Sequence, residues 1–170
     1  VVYKPMIGEA PLWDFPTGSL YKREYAAYLL SDILAWDLVP ATVIRDGPHG
    51  IGMVQQFIEH DRKLHYFAVN ERYAEAFKRV ATFDLLLNNA DRKSSHCLID
   101  NNGKIWSIDH GVTFHEEVKH RTVIWEYAGQ RIPDGIIEDL RALHSVAIAG
   151  SADFASLMAL LHSVEQKALI

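Results

Sequence analysis

Apolar residues recur at three- and four-residue steps in four stretches of the chain, and this spacing places them on one face of a helix. In the second stretch Phe77, Val80 and Phe83 follow one another in this way. Ser19 and Ser151 stand at the start of two stretches, where a serine commonly caps the helix N-terminus. The predicted helices cover residues 19–34, 71–87, 132–144 and 151–167.

Shorter segments show the patterns of strands. Residues 1–4 alternate and stop at Pro5, whose ring fixes φ and removes an amide donor. A second strand is predicted over residues 51–58, after the turn-forming residues 46–50. Together with the helices, these strands predict an α+β fold.

A β-hairpin is predicted around Asn102-Gly103, because both residues tolerate the positive φ of a two-residue turn. Such a turn would pair Cys97 with Ile108 and His96 with Asp109, about 5 Å apart on one face. A three-residue turn would shift the pairing by one residue.

Length and composition predict one globular, soluble domain. The chain has 170 residues, of which 49% are hydrophobic and 23% charged. Its net charge of -5 gives no support for nucleic-acid binding, and no apolar run approaches the length of a membrane span. The single cysteine, Cys97, fits a reducing, cytoplasmic setting. The oligomeric state is not readable from the sequence.

Candidate chemistry begins with an acid in an apolar position. Glu24 lies on the same side of the first predicted helix as Leu20, and a buried carboxylate needs a partner. We expect Lys4 to be that partner, with Glu9 as the competing acid. The alternative is a surface Glu24 paired with a basic neighbour on its own helix.

A second group of polar residues flanks the predicted hairpin: Asp91, His96 and Asp109. Taken singly, each has a structural explanation, because a lone aspartate often forms a turn or a cap. Arg92 and Lys93 follow Asp91 directly, and we expect them either to attract phosphate or to be solvated. The spacing of the group is that of a kinase catalytic loop, in which one side chain orients the acceptor hydroxyl and two hold metal.

These residues resemble a known family. The segments that carry the resemblance are 2–5, 8–16, 23–28, 84–93, His96 and 108–111, and they span nearly the whole chain up to about Trp125. They look like phosphatidylinositol 3-/4-kinase-like proteins, and most like a bacterial, mainly actinobacterial, branch. The resemblance implies a two-lobed, protein-kinase-like α+β fold. Residues 1–58 would form a partial N-terminal lobe and residues 59–170 a mainly helical C-terminal lobe with the catalytic hairpin. The family's first strands and Gly-rich loop would be missing from this chain.

The resemblance also implies roles for individual residues. Asp91 matches the catalytic-loop aspartate, Asp109 the metal-binding aspartate, and His96 the metal-binding asparagine. Lys4 would contact the ATP phosphates, with Glu24 holding it in place. The implied cofactors are ATP with Mg²⁺ or Mn²⁺, and an imidazole ligand at His96 would favour Mn²⁺.

Two further positions depend on the resemblance. Gln56, Phe57 and Ile58 would lie at the hinge that contacts adenine; the alternative is an ordinary hairpin. His110 replaces the phenylalanine that usually follows the metal-binding aspartate.

The expected activity is phosphoryl transfer from ATP to a hydroxyl of an unidentified protein, lipid or small molecule. One alternative is a nucleotide-binding pseudokinase that serves as an interaction module. A less favoured one is a metal-dependent hydrolase that adds the histidines at 110, 115 and 120 to the acidic group. These histidines lack the compact spacing of a zinc motif.

Overall fold

The structure, a computed structural model, describes residues 1–169. Five strands and six α-helices form its framework. The strands are β1 Val2–Pro5, β2 Thr42–Gly47, β3 Gly50–Gln55, β4 Cys97–Ile99 and β5 Ile105–Ser107. The helices are α1 Leu20–Ile33, α2 Tyr66–Val69, α3 Ala74–Leu86, α4 Asp134–Ala149, α5 Ala152–Met158 and α6 Ser163–Leu169. Along these residues, no helix is both long and apolar enough to cross a membrane.

Three strands make an antiparallel sheet in the order β1-β3-β2. Lys4 of β1 pairs with Met53 of β3. The last residue of β3, Gln55, pairs with Val2 and Thr42, the first residues of β1 and β2. The predicted strand over residues 51–58 therefore runs three residues past the end of β3, and it begins one residue late. Gly52 allows β1 and β3 to approach, since a Cβ at this position would collide with the backbone of Lys4.

Helix α1 packs against this sheet and also contacts α5. The predicted helix over 19–34 is present, but Ser19 does not cap it with its side chain. Its hydroxyl donates to Pro16 O instead, and Glu9 Oε1 accepts a hydrogen bond from the Tyr21 amide at 2.8 Å. The helix is buried on several sides, including at Arg23 and Glu24.

The main core lies between α1, α3, the second hairpin and the C-terminal helices. Its members from α3 include the predicted residues Phe77, Val80 and Phe83. The C-terminal region differs from prediction at its end, because residues 151–167 form two helices, α5 and α6. Ser151 does cap α5, and Gln166 Nε2 donates to the carbonyls of Met158 and Leu161 at the break.

The hairpin of β4 and β5 has a different register from the one that a two-residue turn predicts. Cys97 pairs with Ser107 and Ile99 with Ile105, so the turn holds three residues between Asp100 and Lys104. Gly103 takes the left-handed conformation in this turn, with φ at 80°. The pairing of His96 with Asp109 in the ladder is thus wrong, since the Ile108 amide bonds to the His96 carbonyl at 3.0 Å.

Candidate active site

Three elements bring a lysine and two carboxylates together. Lys4 Nζ, from β1, lies 2.5 Å from Glu24 Oε1 of α1 and 2.7 Å from Asp109 Oδ1, which follows β5. The other carboxylate oxygen of Glu24 accepts a hydrogen bond from the His110 amide at 3.0 Å. The predicted pairing of Lys4 with Glu24 is therefore confirmed, whereas Glu9 has a separate contact at the start of α1.

The charges in this group are mutually dependent. Burial acts to lower the pKa of Lys4, but the carboxylates of Glu24 and Asp109 outweigh burial and raise it. Burial raises the pKa of Glu24 more than the charge of Lys4 lowers it. A hydrogen bond from His96, followed by the charge of Lys4, holds the pKa of Asp109 far below its usual range. Asp109 is therefore ionised at neutral pH.

His96 reaches Asp109 despite the shifted register. Its Nε2 lies 3.1 Å from Asp109 Oδ2, while Nδ1 is buried without a hydrogen-bond partner among the described residues. Asp109 follows the last paired residues of the hairpin directly and has a left-handed φ of 64°. The backbone conformation of Asp109 therefore brings about the contact that the ladder was expected to supply.

Asp91 lines the same cavity as Lys4, Glu24 and Asp109, and this cavity measures about 430 Å³. The Asp91 carboxylate is bound by two basic side chains, with Arg121 Nη2 at 2.8 Å and Lys93 Nζ at 2.7 Å. Burial alone would raise its pKa, but the hydrogen bonds from Lys93 and Arg121 lower it overall. The Asp91 amide bonds to Asn89 Oδ1, so the loop residue is held from both ends.

Arg92 neither faces the cavity nor contacts solvent, so both expectations for it were wrong. It is fully buried, with two guanidinium nitrogens 2.7 and 2.6 Å from the two carboxylate oxygens of Asp84. It also donates to the carbonyls of His96 and Ile108. Arg92 thereby ties the loop of Asp91 to the segment that carries Asp109. The signal in the sequence for the burial of Arg92 was one acidic residue, Asp84, late in the helical pattern of α3.

His110 belongs to the same buried network. Its Nε2 lies 3.0 Å from Arg92 Nη2 and 3.0 Å from Ser107 Oγ. A guanidinium only donates hydrogen bonds, so Nε2 accepts and the ring proton lies on Nδ1. Burial, followed by the charge of Arg92, lowers the pKa of His110 well below its usual value. The histidine is therefore a neutral acceptor for Arg92, which a phenylalanine could not be.

The residues expected at adenine are not brought into the cavity. Gln56, Phe57 and Ile58 follow β3 directly; Phe57 is exposed and Ile58 is buried. None of the three lines the cavity at Lys4 and Asp109. A separate cavity of about 250 Å³ lies next along the chain, lined by His60 and Leu98 among others.

His115 and His120, the other two histidines of the hydrolase alternative, have separate contacts. His115 Nε2 contacts Asp14 O at 2.9 Å, and the His120 ring packs edge-on against Trp125. Within residues 1–169, no three His, Cys, Asp or Glu side chains are grouped as a metal site would require.

Two side-chain atoms are nevertheless spaced like neighbouring ligands of one divalent cation. Asp109 Oδ2 and His96 Nε2 are 3.1 Å apart, close to the separation of neighbouring ligands that each bind one ion at about 2.1 Å. Mg²⁺ is commonly held by one or two protein ligands, with phosphate oxygens and water completing its shell. The pair thus fits a cation that binds together with a nucleotide.

Comparison with known proteins identifies the family of this chain. A curated relative, protein Rv2133c of Mycobacterium tuberculosis (strain ATCC 25618 / H37Rv), is 40% identical over 187 aligned residues. The alignment covers 89% of this chain and 64% of the relative, so the chain spans less than two thirds of that protein's length. The family model described as phosphatidylinositol 3- and 4-kinase matches residues 21–164. The α+β, kinase-like fold expected from the sequence is confirmed, and this chain belongs to the phosphatidylinositol 3- and 4-kinase family.

Proposed function

We propose that this chain carries the catalytic centre of an ATP- and divalent-metal-dependent phosphotransferase whose acceptor is a hydroxyl. The main support is the contact of Lys4 Nζ with both Glu24 and Asp109 in the wall of the cavity that Asp91 also lines. Phosphoryl transfer requires positioning and charge neutralisation rather than covalent chemistry by the protein. Lys4 and the carboxylates of Glu24, Asp91 and Asp109 line this cavity, and His96 contacts Asp109. Together these groups supply those two requirements.

Lys4 binds the phosphates of ATP in this proposal, and Glu24 keeps its ammonium group in place. Glu24 is suited to this task because it is buried and bonded at both oxygens, to Lys4 and to the His110 amide. A side chain fixed in this way loses little entropy when the nucleotide binds.

Asp109 and His96 hold the divalent cation, Mg²⁺ or Mn²⁺, which when bound neutralises charge on the phosphates. The ionised carboxylate of Asp109 is the principal ligand. Because imidazole is a softer ligand than an amide oxygen, we expect His96 to favour Mn²⁺.

Asp91 orients the acceptor hydroxyl and receives its proton. Its lowered pKa makes it a weak base, which suits a loose transition state in which positioning matters more than early proton removal. Each oxygen of Asp91 makes one contact, with Lys93 or Arg121, so each keeps a second lone pair for the acceptor hydroxyl.

In this proposal adenine contacts the backbone that follows β3, at Gln56, Phe57 and Ile58, which lies outside the cavity at Lys4 and Asp109. The acceptor is a protein, a lipid or a small molecule with a free hydroxyl. The second candidate function is a nucleotide-binding module without turnover. The observation that favours it is the engagement of both Asp91 oxygens by cations.

The test uses the full-length protein, γ-labelled ATP, Mg²⁺ or Mn²⁺, and cell extract as the source of acceptor. We expect a labelled product, and a rate about 10²–10⁴-fold lower in Asp91→Asn, the usual range for losing a positioned acid or base. Asp46→Asn, a change at an exposed site on β2, is the matched control. Equal rates in wild type and Asp91→Asn would refute the catalytic role. Saturable nucleotide binding with no labelled product would support the module instead.

A further inference from the structure

A second cavity lies outside the catalytic cleft. It measures about 260 Å³ and is formed by one face of α3 and residues 120–133; we call it the α3 cavity. It shares no lining residue with the cavity at Lys4 and Asp109. Its volume is close to the lower limit of small-molecule sites.

Large apolar side chains surround the α3 cavity and remain open to solvent. Leu85 is 59% exposed and Trp125 is 58% exposed, and Ile132 is partly exposed beside them. Ala81 and Leu85 lie one helical turn apart, so they present one face of α3 to the cavity. An apolar surface of this kind within a concave site suits the ring or short chain of a ligand.

The charge of the lining is opposite to that of the whole protein. The chain carries a net charge of -5, yet no Asp or Glu lines the α3 cavity, whereas Lys78 and Arg131 do. Each cation is paired with an acid three residues away, Glu75 and Asp134 respectively, and both acids are largely exposed. Exposed pairs of this kind contribute little, so a ligand can replace them. His120 adds a buried Nδ1 that has no partner among the described residues.

We propose that the α3 cavity binds a small amphipathic acid. The apolar body packs against Leu85, Trp125 and Ile132, and the anionic group lies between Lys78 and Arg131. This proposal does not depend on phosphoryl transfer, because it uses no residue of the catalytic cleft.

The α3 cavity is also connected to Asp91. His120 and Thr122 line it, while the side chain of Arg121, between them, binds Asp91. The backbone of Arg121 is hydrogen-bonded to Asn89 and Arg92 of the catalytic loop. A ligand in the cavity therefore touches the segment that holds Arg121 against Asp91.

The experiment is an NMR titration of the ¹⁵N-labelled full chain with 4-phenylbutyrate, and with its neutral amide as the matched ligand. We expect saturable shifts of amides in residues 78–85 and 120–133, with Arg121 among them. The acid should bind about fivefold more tightly than the amide, the scale expected of one partly exposed charge contact.

Three variants decide the interpretation. Ala81→Phe fills the cavity and should abolish the shifts, and Leu85→Ser, at an exposed site, should weaken binding of both ligands. Lys78→Met should lower the affinity of the acid towards that of the amide, because only Arg131 then remains to contact the anionic group. Arg79→Met is the control, because Arg79 lies over the Trp36 ring and does not line the cavity. Absence of saturable shifts, equal affinities of acid and amide, or full binding by both Ala81→Phe and Leu85→Ser would overturn the proposal.

Discussion

Substitution of Asp84 by asparagine should destabilise the fold far more than the loss of any exposed ion pair. Asp84 and Arg92 are both fully buried, and two short hydrogen bonds join the carboxylate to the guanidinium. The charge of Asp84 raises the pKa of Arg92 despite its burial. A guanidinium is not deprotonated in proteins, so Arg92 stays charged in the variant even without Asp84. The substitution thus leaves a buried cation without its counter-charge.

The expected loss is about 3–5 kcal/mol in the free energy of unfolding, the usual effect of removing one partner of a buried pair. The comparison is Arg121→Met, which removes an ion pair of similar length, 2.8 Å, from a residue that is 75% exposed. An exposed pair contributes about 0.2–1 kcal/mol. Urea unfolding of both variants, with equal m-values, measures the difference.

A double variant separates stability from positioning. Asp84→Leu combined with Arg92→Met removes both charges, so the double variant should be about 1–3 kcal/mol more stable than the sum of the single losses predicts. The double variant should nevertheless bind metal-nucleotide more weakly than the wild type, because it lacks the hydrogen bonds from Arg92 to the His96 and Ile108 carbonyls. If Asp84→Asn and Arg121→Met lose the same small amount, the buried pair does not have the importance inferred for it.

Three other predictions concern the same framework. Gly52→Ala should force β1 away from β3 and weaken nucleotide binding, whereas Gly135→Ala, whose added Cβ meets nothing within 4 Å, should be neutral in the same titration. The lowered pKa of His110 means that the unfolded state binds more protons below about pH 6.5, so stability should fall as the pH drops from 7 to 5. His110→Phe should reduce the dependence of the unfolding free energy on pH, and the exposed-site control His144→Gln should not. The same pH dependence in wild type and His110→Phe would contradict the assignment. Burial raises the pKa of Cys97 to about 11, so iodoacetamide should modify it at pH 8 only after unfolding in urea, as followed by mass spectrometry. Rapid modification of the native protein would contradict this.

The sequence determined the local elements where one pattern dominated. The three- and four-residue spacing of Phe77, Val80 and Phe83 located α3, although the helix begins at Ala74 and not at residue 71, and the short helix Tyr66–Val69 before it was not predicted. The cost of an unpaired buried carboxylate favoured Lys4 as the partner of Glu24 over a basic neighbour on the same helix, and the structure contains the Lys4–Glu24 pair.

The sequence was insufficient where competing local choices differ by little energy. Asn101, Asn102 and Gly103 suit a two- or a three-residue turn, and the packing of the hairpin decides between them. Ser19 and Glu9 compete for the start of α1, and only the path of the loop between them brings Glu9 within reach. The C-terminal pattern runs through residues 159–162 without a sequence break, yet the helix stops there.

Tertiary structure alone decided the role of charge around the loop that carries Asp91. Three adjacent residues, Asp91, Arg92 and Lys93, appear as one polar stretch, but the backbone sends Arg92 into the core and leaves its neighbours at the surface. Local spacing specifies which residues share a face, because it depends on helix and strand geometry. Whether a charge is buried with a counter-charge depends on how separate elements pack together, and Asp84 of α3 and His110 after β5 contact Arg92 only in the folded protein.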